Sequence, residues 1–186
     1  MTGEDEEFAM FFREYYPSLC RFLECLLGGG GGRGGDGGSV AEDLAQESFM
    51  RLHHTGLRSL PEGEARFWLF RVARNFALNE LSKGQTRHRL FGKVVEAFNL
   101  RSAATTPERE YELNERRRIV LDMLKSLPED QRAALLLREQ EGMSYREIAH
   151  VLNVSESKVK VDVFRARGAL RERWGRAQKM LTGAAG

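Results

Sequence analysis

The sequence predicts an all-α protein: two small helical domains joined by a flexible linker, the C-terminal one containing a helix-turn-helix. Three observations carry this. Apolar residues recur at three- and four-residue intervals along most of the chain, helix caps and stops punctuate the C-terminal third, and no segment shows the strict alternation of a strand. At 186 residues and 41% hydrophobic content the chain suits one medium domain or two small ones.

The first helix is marked by Phe8, Phe12, Tyr15, Leu19, Phe22 and Leu26, a stripe widened by Phe11, Leu23 and Leu27. Pro17 falls inside it, where proline either kinks a helix or starts a new one. Residues 28–38 hold nine glycines in eleven positions, a composition that predicts a flexible loop. It is no phosphate-binding loop, because no Gly-Lys-Ser/Thr follows it and no strand precedes it.

Ser39 can cap a second helix from Val40 to about His53, with Glu42 and Asp43 in its first turn. Ala41, Leu44, Ser48, Phe49 and Leu52 share one of its faces; Asp43, Gln46, Glu47 and Met50 lie mostly elsewhere. After a turn-rich stretch, Thr55 to Gly63, a third helix is expected from about Glu64 to Ser82, with apolar Phe67, Leu69, Phe70, Ala73, Phe76, Ala77 and Leu81. The pattern then weakens, with room for a short helix around Leu90 to Phe98. Ser102 to Pro107 is a loop by composition, so the domains are placed at 1–93 and 111–186, with a linker over 94–110.

In the second domain, Leu113, Ile119, Val120, Met123 and Leu124 are helically spaced over 108–126. Pro128 is placed just inside the next helix, which ends at Gly142. Ser144 and Glu147 have the form of a capping box and open a short helix burying Ile148, Ala149 and Leu152. Asn153 suits a left-handed turn, and Ser155 caps a last helix expected through about Trp174. Val159, Val163, Ala166 and Leu170 line one side of it. Ser157, Lys158, Lys160, Phe164, Arg165 and Arg167 line the other. Two helices and a turn also occur as plain packing, but a basic outer face on the second suits a major groove. Asp162 departs from that face and is expected either to point inward or to accept from a cytosine.

Charge is uneven although the net is only +2. Residues 1–50 carry ten acidic and three basic groups, 66–93 seven basic and one acidic, and 144–176 eight basic and four acidic. Such a distribution fits either two partners of opposite character or simply solvated helix faces. The two cysteines, Cys20 and Cys25, are turned about 500° apart on one helix and read as incidental or buried thiols. His53, His54, His88 and His150 lack metal-ligand spacing, and no nucleophile motif or dinucleotide fingerprint occurs. No cofactor, metal or catalytic residue is expected. The acidic N-terminus and short apolar runs predict a cytoplasmic protein without membrane insertion.

Three segments in order resemble the extracytoplasmic-function sigma factors of bacterial RNA polymerase. The stretch Ala41-Glu42-Asp43-Leu44-Ala45-Gln46-Glu47-Ser48-Phe49-Met50-Arg51-Leu52 is similar to the segment that grips the polymerase largest subunit. Phe67-Trp68-Leu69-Phe70-Arg71-Val72-Ala73-Arg74-Asn75, continuing into Asn79, resembles the segment that reads and opens the −10 element. Leu127-Pro128-Glu129-Asp130-Gln131-Arg132 through Arg173-Trp174 resembles the −35-reading domain. The resemblance implies a factor that binds core RNA polymerase, directs it to promoters and assists melting, with an anti-sigma protein as a further partner.

It also implies site residues. Asp43, Gln46 and Glu47 would face polymerase. Trp68, Phe70, Arg71, Arg74, Asn75 and Asn79 would lie at the −10 strand, where aromatics stack on exposed bases, although Trp68 and Phe70 fit a core equally well. Arg66, Lys83, Arg87 and Arg89 would join Arg71 and Arg74 on phosphates. Ser157, Lys158, Lys160, Val161, Phe164, Arg165 and Arg167 would face the −35 element. The family often has a small polar residue and an arginine where this chain has Val161 and Asp162, so the −35 sequence does not carry over. The glycine-rich insertion is also longer than the family's turn.

Two rivals are weighed against this. A dimeric helix-turn-helix repressor gives no reason for an acidic helix at 42–47 beside an aromatic and basic run at 66–76. A sigma-like protein that keeps DNA and has lost polymerase stays open.

Overall fold

The computed structural model describes residues 3–28, 40–91 and 118–183, all of its regular elements being helical. The glycine-rich segment from 29, Ser39, the expected short helix beyond Phe91 and the whole interdomain linker lie outside the described residues.

Helix α1 spans Gly3–Leu27, α2 Val40–Thr55 and α3 Glu64–Phe91, with a 3-10 turn at Leu57–Ser59 between the last two. These form the N-terminal unit. The α1 stripe buries Leu19, Phe22, Leu23, Leu26 and Leu27. Pro17 leaves α1 a single helix: it removes one N–H donor, and the buried turns on its C-terminal side hold the segment helical. From α2 come Ala41, Ala45, Phe49 and Leu52, and from α3 Leu69, Phe70, Ala73 and Ala77. Phe49 is edge-packed by Phe8, Phe11 and Phe12 of α1 at 6.3, 6.3 and 4.7 Å between centroids. Such pairs add about 0.5–1.5 kcal/mol beyond area burial and fix how α1 lies on α2. Ser48, buried in this interface, satisfies its hydroxyl on the Leu44 carbonyl at 2.7 Å.

The C-terminal unit begins with α4, described over 118–125, followed by α5 Glu129–Glu139, α6 Tyr145–Leu152 and α7 Glu156–Gly183. Pro128 occupies the N-cap of α5 at φ −53°, ψ 142°, one position earlier than the sequence implies. Gly142 at φ 65° turns the chain so that the Met143 N–H bonds to the Leu137 carbonyl at 3.1 Å. The capping box is complete: Ser144 Oγ accepts from Glu147 N at 3.3 Å, and Ser144 N donates to the Glu147 carboxylate at 2.6 Å. These bonds hold the Glu147 carboxyl below its ordinary range. Asn153 at φ 55°, ψ 49° makes the left-handed turn into α7, where Lys158 N donates to Ser155 Oγ.

Ile148, Val151, Leu152, Val159, Val163 and Ala166 form the helix-turn-helix core against Ala133, Ala134 and Leu137 of α5. Ala149 is half-buried. Helices α3 and α7 both run nine residues beyond the ends the sequence implies at Ser82 and Trp174.

The two units touch along a seam, α1 against α5 and α3 against α6. The C-terminus of α1 closes at Gly28, φ 73°, where an added Cβ would stand 2.8 Å from Lys125 Cγ. A glycine there lets the end of α1 meet the end of α4.

Candidate nucleic-acid interface

Helical geometry divides α3 into three faces. Leu69, Phe70, Ala73 and Ala77 pack inward, Phe70 fully buried with its ring 5.3 Å from that of Phe22 at 74°. Phe70 is therefore packed as core, one of the two places the sequence leaves open for it, and offers no surface for a base in this arrangement. Trp68, Asn75 and Asn79 share a second face, with Trp68 half-buried and both asparagines exposed. A half-buried indole can offer an edge or face to a base while its packing holds it rigid. Two asparagines one turn apart beside it can bond base edges.

The third face carries Phe67, Arg71 and Arg74, and it meets the C-terminal unit. Arg71 Nη2 donates to the His150 carbonyl at 2.8 Å, and Arg74 Nη2 bonds Asp130 Oδ1 at 2.6 Å. Phe67 packs edge-on to the His150 ring at 5.9 Å, and His150 Nε2 lies 2.6 Å from Glu64 Oε2. Arg66 reaches around to Glu141, bonding its carbonyl at 2.5 Å and approaching its carboxylate at 3.5 Å. Lys83 is exposed, near Glu80 at 3.5 Å, and the side chains of Arg87 and Arg89 lie outside the described residues.

Ser157, Lys158, Lys160, Val161, Phe164, Arg165 and Arg167 are all exposed on one side of α7. Phe164 is 79% and Val161 44% exposed, two apolar groups turned towards solvent. Such groups fit the C5-methyl of thymine. Asp162 is turned in, 6% exposed, with Lys158 Nζ on its Oδ2 at 2.5 Å. Of its two expected orientations, the inward one is found. Lys158 also bonds Asp130 Oδ2 at 3.3 Å, Lys160 pairs with Glu156 at 2.9 Å, and Arg167 grips Glu139 at 2.5 Å. Surface pairs of this kind contribute about 0–1 kcal/mol and exchange readily for phosphate.

Asp43, Gln46 and Glu47 are exposed on α2 and, with Met50 at 57% exposure, form a stripe at positions i, i+3, i+4 and i+7. Acidic and amide groups around an exposed methionine suit a basic helical partner with an apolar contact point. Cys20 and Cys25 are half-buried and unbridged; burial pushes the Cys20 thiol up, and Cys25 Sγ accepts from Gln140 Nε2 at 3.3 Å. Among the described residues no acidic, histidine or cysteine cluster is arranged to hold a metal ion, and no helix is long and apolar enough to cross a membrane.

A seam residue for which the sequence points to no role is Arg132 of α5. It is 5% exposed, and its guanidinium bonds the carbonyls of Leu26, Lys125 and Leu127 at 2.5, 3.0 and 3.0 Å. Nothing local in the sequence distinguishes it from a solvated arginine.

Comparison with known proteins assigns both units. Residues 11–87 match the Sigma-70 region 2 family and 117–170 the Sigma-70, region 4 family. The chain is similar to the ECF RNA polymerase sigma factor SigM of Bacillus subtilis, 30% identical over 74% of this chain and 81% of that one. It is also similar to the ECF RNA polymerase sigma-E factor of Haemophilus influenzae, 35% identical over 67% and 69%. Among solved structures it resembles the sigma factor RpoE of Bartonella quintana, in complex with the anti-sigma factor NepR. The TM-score is 0.63 at 24% identity, covering 90% of this chain and 96% of that one. CnrH, in complex with the cytosolic domain of CnrY, gives 0.59 at 21%, covering 94% and 91%.

Proposed function

The chain belongs to the extracytoplasmic-function sigma factors of bacterial RNA polymerase, and from that premise we infer how its residues divide the work of promoter recognition. It is a transcription initiation factor that binds core polymerase and directs it to promoters. The function is binding and positioning, with no chemical step of its own.

The observation that carries the residue assignment is the separation of faces on α3 and α7. Trp68, Asn75 and Asn79 stand together beside a basic stripe, and Val161, Phe164 and Arg165 stand together on the recognition helix. In this reading Trp68 supports an unstacked base of the −10 strand, Asn75 and Asn79 bond its neighbours, and Arg71 and Arg74 hold phosphates. The N-terminal half of α7 enters the −35 major groove, with Ser157, Lys158, Lys160 and Arg167 fixing its register on the backbone. Asp43, Gln46, Glu47 and Met50 dock on polymerase. An anti-sigma protein is a fitting further partner, as the two solved relatives are each held by another protein. The cytoplasm, where polymerase works, is the compartment this reading requires.

The test is run-off transcription from a promoter library with core RNA polymerase, with and without this protein. Protein-dependent transcripts sharing −35 and −10 elements are expected. Asn75→Ala should relax selection at −10 only, and Lys160→Ala should weaken −35-dependent promoters only. Polymerase-independent binding to a palindromic duplex, with no protein-dependent transcript, would leave a dimeric regulator instead.

A further inference from the structure

We propose that Val161 and Phe164 select a −35 element with two successive thymines on one strand, each side chain reading one C5-methyl group. The inference rests on the placing of α7 in the −35 major groove, and it names the base that groove must carry.

Helical geometry sorts the outer face of α7. At about 100° per residue, Lys160 and Arg167 fall on one flank, Lys158 falls on the other, and Val161 and Phe164 stand between them. The core residues Val159, Val163 and Ala166 point the opposite way. The flanking cations are already drawn aside by acids. Lys160 pairs with Glu156 at 2.9 Å, Arg167 with Glu139 at 2.5 Å, and Lys158 with Asp130 and Asp162 at 3.3 and 2.5 Å. Cations so placed meet the walls of a groove, where the phosphates are. The middle of the face, which meets its floor, is apolar.

An apolar group fits a base edge only where it strands no polar atom. Guanine, adenine and cytosine present acceptors or amines in the major groove, and thymine alone adds a methyl group. Covering a polar edge leaves a donor or acceptor without a partner, whereas covering the methyl removes apolar surface from water. Asp162, which could accept from a cytosine, is turned in and held by Lys158, so the nearest carboxylate is removed from the strip. Val161 and Phe164 are three residues apart, which places their Cβ atoms about 5–6 Å from each other. That spacing suits successive bases of one strand, which rise about 3.4 Å and also turn about the duplex axis. One side chain therefore serves each base, with exposed Ser157 and Arg165 beside them for polar contacts.

The test uses holoenzyme assembled from core RNA polymerase and the full chain, on a promoter chosen by run-off from a library randomised at −35. The chosen element should carry two successive thymines on one strand. Deoxyuridine keeps the pairing of thymine and lacks only the methyl. Placed at either position, it should weaken promoter binding about fourfold, the worth of one buried methyl group. Placed between the two elements, it should leave binding unchanged. Val161→Ser should bind the thymine promoter about fourfold more weakly and lose its response to deoxyuridine at one of the two positions. Phe164→Ala should lose the response at the other. Both side chains are exposed, and circular dichroism confirms that the variants fold. A chosen element without the thymine pair, a wild type indifferent to deoxyuridine, or a deoxyuridine effect that persists unchanged in either variant overturns the methyl reading. In those cases the promoter function still stands, because the transcripts depend on the protein. No protein-dependent transcript from the library overturns the promoter reading itself, and this inference with it.

Discussion

Arg132 of α5 donates to the carbonyl of Leu26 near the end of α1, 106 residues away in sequence, at 2.5 Å. The same guanidinium bonds Lys125 and Leu127, so it caps α1 and the turn after α4 together. Helix ends leave carbonyls without intrahelical partners, and a planar five-donor fork suits several of them better than an ammonium does. Among the described residues no carboxylate pairs with it, and burial lowers the guanidinium's affinity for its proton despite Glu129 nearby. The site therefore works by hydrogen bonding.

Replacing Arg132 should be among the more damaging single changes in the chain. Arg132→Ala strands the three carbonyls and opens a cavity, an expected loss of about 3 kcal/mol. Arg132→Lys keeps the charge and loses the fork, recovering less than half of that. Urea denaturation of both variants checks the order. A lysine variant as stable as wild type would show that charge, and not the fork, is what the site requires.

On α7 two neighbouring residues should separate stability from recognition. Phe164, 79% exposed, supports nothing in the core, so Phe164→Ala should leave stability within about 0.5 kcal/mol and weaken −35-dependent transcription. Asp162, 6% exposed and bonded to Lys158, should behave in the opposite way. Asp162→Ala is expected to lower stability by about 1–2 kcal/mol and leave the preferred base at every −35 position unchanged. Thermal unfolding and transcription from −35-substituted promoters measure the two effects. A changed base preference in Asp162→Ala would restore the cytosine-reading role.

The helix-turn-helix is legible in the sequence because its boundaries are chemical: Ser144 with Glu147, Asn153 and Ser155 each announce a backbone geometry through the side chain that makes it. The far ends of α3 and α7 are not. Their apolar stripe fades before the helix does, and a polar helix without proline carries no local stop signal. Phe70 was ambiguous for a related reason. An aromatic beside a basic run serves core and base stacking equally, and only its contact with Phe22 decides. The seam left no trace at all. Arg66, Arg71, Arg74 and Arg132 read as a solvated or DNA-facing charge, because the groups they reach across the seam lie 75, 79, 56 and 106 residues away.

Glu141 gives the seam a pH dependence with a definite sign. Burial pushes its carboxyl up, and Arg66, Ser18 and Arg21 pull it down by less, so the ion pair at 3.5 Å does not repay the lost hydration. Between the unfolded value, about 4.3, and the raised folded value, the folded chain binds more protons than the unfolded one. Stability contributed at this site therefore falls as pH rises through that window and stays low above it. Glu141→Gln removes the buried charge and keeps the backbone carbonyl on which Arg66 Nη2 sits. The variant should melt higher than wild type at pH 7, and the two melting curves should converge as pH falls below about 4, where the Glu141 carboxyl becomes protonated in the folded and unfolded chain alike. A lower melting temperature for the variant at pH 7 would mean that the pairing with Arg66 outweighs burial.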